Sequence, residues 1–123
     1  MAGQEPVFAV GFDEVAIADD LARLGETGAV ALAELARDVE RFGGLPRQRL
    51  QACDEEGRDG TRLGGCVKTY VPWPTGRYGA LMIATSHPNR PVALRVIAFG
   101  VRHHPAGAHA LTVYEIANRR LNG

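Results

Sequence analysis

The chain holds a single lysine, Lys68, against 13 arginines, and that lysine sits in an apolar and aromatic stretch, Cys66-Val67-Lys68-Thr69-Tyr70-Val71. An isolated ammonium in an arginine-biased chain is a place to look for chemistry, with a solvated strand lysine as the plain alternative. If the stretch is a strand, residues 66, 68 and 70 share one face. His103 and His104 are adjacent, and an imidazole, which titrates near 6.5 in water, suits general acid or base work at neutral pH. The competing reading is a solvent-exposed loop tip, since Pro105 and a Gly/Ala-rich segment follow. Trp73, between Pro72 and Pro74, is either an indole free to stack on a nucleobase or an aromatic lid over the edge of the core. Cys53 and Cys66 lie in neither a CxxC nor a Cys/His zinc spacing and read as inert small apolar residues. No cofactor or metal is implied.

The charge balance of 14 Lys+Arg against 14 Asp+Glu argues at first against a nucleic-acid partner, because phosphate binding draws on positive charge. Split by position, residues 1–60 carry 6 Arg and 13 acids, net −7, while residues 61–123 carry 7 Arg, Lys68 and one acid, Glu115, net +7. Such asymmetry suits an anionic partner on the basic side, and equally self-association or an acidic neighbour. At 123 residues and 46% hydrophobic content a single domain is expected, able to hold a core without disulfides. Two cysteines point to a reducing compartment. No apolar run reaches the roughly 18 residues of a membrane span and no secretory signal is visible, so a cytoplasmic location is expected.

The elements that must position these residues follow from periodicity. Val7 to Phe12 reads as a strand, and Asp13 as the N-cap of a helix over Glu14–Leu24 with Val15, Ala18, Leu21, Ala22 and Leu24 on one face and Asp19, Asp20 and Arg23 on the other. Thr27 can cap a second helix, from about 28 to 42, with an apolar stripe of Val30, Leu32, Leu35, Val39 and Phe42. Gly43, Gly44 and Pro46 stop it, and an aperiodic loop follows through 57–60. Runs at 66–71, 77–85 and 92–101, separated by turns at 72–76 and 86–91, predict an antiparallel meander. Residues 113–121 suit a short final helix with apolar Val113, Ile116, Ala117 and Leu121 on one side. The expectation is an α+β domain: a short strand and two-helix segment packed on a mainly antiparallel sheet, closed by a short C-terminal helix.

Leu63-Gly64-Gly65-Cys66-Val67-Lys68 leading into a strand, Arg77-Tyr78 opening the next, a strand ending Phe99-Gly100-Val101-Arg102, and Val113-Tyr114 followed by Ala117 and Arg120-Leu121 occur in that order. Together they resemble the RelE branch of the RelE/ParE toxin superfamily. The resemblance spans nearly the whole chain, although the first half fits in architecture only. It implies the toxin of a type II toxin–antitoxin pair, a ribosome-dependent mRNA endoribonuclease that uses the sheet as its RNA platform. No metal is needed, since the nucleotide's 2′-hydroxyl attacks its own 3′-phosphate. The implied partners are a cognate antitoxin, the ribosome and mRNA, with no membrane. Such a reaction asks for a group to take the 2′-OH proton, cations for the phosphorane charge and a donor for the leaving 5′-oxygen. Lys68 matches the family's first basic position, Arg102 the arginine after the last strand, where a guanidinium grips two phosphate oxygens, and Tyr114 the tail tyrosine that stacks or assists proton transfer. Each has a structural alternative; Tyr114 serves equally as a half-buried anchor of the last helix.

The departures are as informative. Tyr70 stands where the family has a second lysine, and Gly79 where it has an arginine. Arg77, two residues earlier on the same strand face, can reach toward the same phosphate. Arg95, inside an apolar strand, is expected on the solvated or RNA-facing side. Arg77, Arg95, His103, His104, Trp73 and Tyr70 therefore form the set of further RNA or phosphate contacts. The loop Pro105–Ala110, which contains His109, is longer than the family's link into the tail. Two other readings stay open: a ParE-like inhibitor of DNA gyrase, which the missing cations favour, and a non-catalytic RNA- or protein-binding module of the same fold.

Overall fold

The computed structural model describes residues 7–57, 59–87, 90–104 and 110–123. Strand β1 (Val7–Phe12) ends where Asp13 caps the following helix, its carboxylate accepting from the Ala16 N–H at 3.0 Å. Helix α1 (Glu14–Phe42) is broken at Gly25, whose φ of 71° and ψ of −158° lie outside any helix. The two helices read from the sequence are thus both present, running on from one another across the break at Gly25. The break falls at Gly25, directly after the Leu24 end expected for the first helix, because only a residue without Cβ takes those angles freely. The stretch expected as loop contains three short elements: β2 (Leu45–Pro46), a 3-10 turn (Arg47–Arg49) and β3 (Gln51–Ala52). The meander follows as β4 (Val67–Val71), β5 (Tyr78–His87) and β6 (Arg90–Val101), and α2 (Val113–Asn122) closes the chain.

The fold is α+β. One mixed sheet runs β2-β1-β6-β5-β4-β3, with β1 parallel to β6 and every other neighbour antiparallel. Both faces are used. Ile17, Ala31, Leu32 and Leu35 of α1 pack on Val71, Tyr78, Ala80, Met82, Leu94, Val96 and Phe99. On the opposite face Val113, Ile116 and Ala117 of α2 meet Leu63, Cys66, Leu81, Ile97 and Ala98. Because alternate strand residues face opposite ways, Val67 and Val71 belong to the α1 side, leaving Cys66, Lys68 and Tyr70 on the α2 side, as the alternation requires.

The apolar stripes differ from expectation. Val15 is 82% exposed and Phe42 54%, Val30, Ala18 and Ala22 are also exposed, and Ile17 and Ala31 take the inward positions. Asp20, placed by periodicity on the polar face, is fully buried. The reason lies in β6. Beyond the end of β1, its outward backbone groups have no strand to pair with, and side chains take over. The Phe99 N–H donates to Asp20 Oδ2 (2.9 Å), and Arg120 Nη1 donates to the Ile97 carbonyl (2.8 Å) and to Asp20 Oδ2 (2.9 Å). Arg23 Nη2 and Arg120 Nη2 each reach Asp20 Oδ1 at 2.7 Å. Satisfying a buried backbone donor and joining both helices to β6 outweighs the apolar periodicity. Among the described residues no helix is long and apolar enough to cross a membrane.

Candidate functional site

The open part of the α2 face holds a cavity of about 410 Å³ whose lining includes Lys68 and Tyr70 of β4, Arg102 and His103 after β6, and Tyr114 of α2. Lys68 is placed by register: it pairs with Leu81 of β5 on one side and with Gln51 of β3 on the other. Tyr114 is placed by a cap. Thr112 is the N-cap of α2, its hydroxyl accepting from the Glu115 N–H (3.3 Å) while Glu115 Oε1 accepts from the Thr112 N–H (3.1 Å). That box sets the helix phase, so Val113, Ile116 and Ala117 turn into the core and Tyr114 turns toward β4. Arg102 is held where its N–H donates to the Arg77 carbonyl (2.8 Å).

Lys68 Nζ lies 5.3 Å from the Tyr114 ring centre and 5.9 Å from that of Tyr70, and the Arg102 guanidinium carbon lies 3.4 Å above the Tyr70 ring. Two cations and two phenols thus form one cluster, with His103 at its rim, 6.4 Å from the Tyr114 ring. Burial raises the Tyr114 pKa above its ordinary 10; the neighbouring Arg102 guanidinium and then Lys68 pull the other way without reversing it. At neutral pH Tyr114 is a proton donor, not a base.

The remaining expected contacts lie elsewhere. Arg77 is exposed and does not line the cavity. Arg95 pairs with Asp13 at 3.2 Å in a separate groove between β6 and the start of α1. His104, unlike its neighbour, donates from Nε2 to the Leu111 carbonyl at 2.9 Å, so it ties the chain leading into α2. Trp73 is 55% exposed in the β4–β5 connection, outside the cavity. His109 and most of its loop lie outside the described residues, as do Pro88 and Asn89 of the β5–β6 turn.

The sequence reading missed one wall. Pairing of β3 with β4 directs the following segment over the cavity, where Cys53, Asp54, Asp59 and Thr61 line it. Asp59 Oδ1 is occupied by the Thr61 N–H (3.1 Å) and hydroxyl (2.7 Å). The Cys53 thiol is pushed up to about 11, first by burial, and Cys66 is raised by burial too, so neither is an activated nucleophile. Among the described residues no group of three His, Cys, Asp or Glu side chains is arranged to hold a metal ion.

No protein-family model, no curated protein and no solved structure gives a significant match to the chain.

Proposed function

We propose that the cavity cleaves RNA without a metal and that the protein is a RelE-like toxin, an mRNA endoribonuclease acting on the ribosome and restrained by a cognate antitoxin. The observation that carries this reading is the meeting of Lys68 of β4, Arg102 just after β6 and Tyr114 of α2 around one cavity. The α+β architecture, with a cation-bearing sheet face left open beside α2, is compatible with an RNA platform.

In this reaction the 2′-oxygen attacks the adjacent phosphorus, the bond from phosphorus to the 5′-oxygen breaks, and a 2′,3′-cyclic phosphate and a 5′-hydroxyl result. Lys68 and Arg102 stabilise the charge of the pentavalent phosphorane. Tyr114, kept protonated by burial, donates to the departing 5′-oxygen. His103 on the rim takes the 2′-hydroxyl proton.

The test is to map mRNA ends in a translating extract. Cleavage within codons by the wild type, reduced by roughly 10²- to 10³-fold in Lys68→Ala, Arg102→Ala and Tyr114→Phe, supports the enzyme. Intact mRNA with arrested gyrase moves the assignment to a ParE-like inhibitor. Intact mRNA with active gyrase leaves a binding module.

A further inference from the structure

The two positions at which the chain lacks the family's cations, Tyr70 and Gly79, are direct partners across β4 and β5, and Gly79 is paired in turn with Gly100 of β6. On the α2 face this row carries one aromatic ring followed by two positions without side chains. Arg102 lies across the row. A Cβ built on Gly79 would stand 3.1 Å from Arg102 Cγ and 3.3 Å from Cδ, so the glycine provides a trough for the arginine stem. The guanidinium at its end rests on the Tyr70 ring, 3.4 Å from the centroid.

Hydrogen bonds hold that head group only in part. It bonds the Tyr114 side chain, Nη1 reaches the Gly76 carbonyl only at 3.5 Å, and Nε is buried without a partner. A buried donor left unpaired is costly, and a planar fork of five donors matches an oxyanion. We infer that Tyr70 and Gly79 are positioning residues: together they form a seat that presents the Arg102 guanidinium, one face covered and Nε unpaired, to a phosphate oxyanion. A ring under a desolvated guanidinium restricts its rotamers and favours its position without consuming an N–H. With the nuclease reading this inference shares only the premise that Arg102 receives a phosphate.

The experiment observes the arginine Nε–H resonances of the ¹⁵N-labelled full chain during titration with inorganic phosphate, the Arg102 signal being identified by its loss in Arg102→Lys. In the wild type this signal is displaced upfield by the Tyr70 ring and shifts on adding phosphate. Tyr70→Phe retains both effects. Tyr70→Leu abolishes the displacement and weakens phosphate binding by about tenfold. Gly79→Val, whose branched side chain fills the trough, does the same; should it fail to fold, Tyr70→Leu decides alone. An Arg102 signal and phosphate affinity unchanged in Tyr70→Leu overturn the seat, and a wild-type signal indifferent to phosphate overturns the oxyanion. A seat that behaves as expected in a protein that cleaves no RNA refutes the nuclease reading and leaves the seat standing.

Discussion

Tyr114 and Cys53 face the same cavity, and burial acts on both in the same direction: it favours the neutral form. For a group whose pKa is raised on folding, the stabilisation is complete below the unfolded value and is lost as pH climbs through the folded one. For Cys53 that window runs from 9.0 to about 11, and Cys66 and Tyr114 act with the same sign. The melting temperature is therefore expected to stay level up to about pH 9 and to fall above it, with a shallower fall in Cys53→Ala. Scanning calorimetry between pH 7 and 11 checks this, and parallel curves would contradict it. Lys68, Arg102 and Tyr114 were singled out in the sequence by the family resemblance. The wall made by Asp54, Asp59 and Thr61 was not, because its place depends on β3, a two-residue strand that shows no periodicity.

Among the elements, the strands of the meander and the final helix follow from short β-branched runs and from a capping box, both local signals. The inward face of α1 does not. Asp20 turns inward because β6 outruns β1 and leaves the Phe99 N–H to be satisfied, a need that arises 79 residues along the chain from Asp20. Replacing Asp20 by Asn strands Arg120 and Arg23 beside a buried amide and is expected to cost about 3–5 kcal/mol in urea unfolding. Asp19, 74% exposed and paired with the same Arg120 at 3.0 Å, is expected to cost no more than about 1 kcal/mol on the same change. Equal losses at the two positions would refute the assignment of Asp20 as the tie between α1, β6 and α2.

For the whole molecule, the opposed charges of the two halves are partly spent inside the fold. Arg120 binds Asp19 and Asp20, and Arg95 binds Asp13, so basic residues of the second half neutralise acids of the first. The positive charge available to a ligand is accordingly less than the +7 of that half. If Lys68 and Arg102 are the phosphate contacts, the logarithm of affinity for single-stranded RNA falls against log salt with a slope of about −1.4, from about −0.7 per phosphate. A slope steeper than about −4 would mean that the exposed arginines take part, and a flat response would exclude phosphate contacts.

Residue order by itself determined the strand-helix-meander-helix succession and the sharing of one face by Cys66, Lys68 and Tyr70, since strand alternation, helix caps and short turns are local properties of the chain, whereas Lys68, Arg102 and Tyr114 were singled out together only through a family resemblance. Tertiary structure alone decided that Arg95 and Arg120 are spent in ion pairs, that Asp20 is interior, that Gly79 makes room for Arg102, and that the Tyr70 ring lies against the Arg102 guanidinium. Each of these depends on groups distant in sequence competing for one place, where backbone satisfaction and steric room override the pattern that any single segment carries.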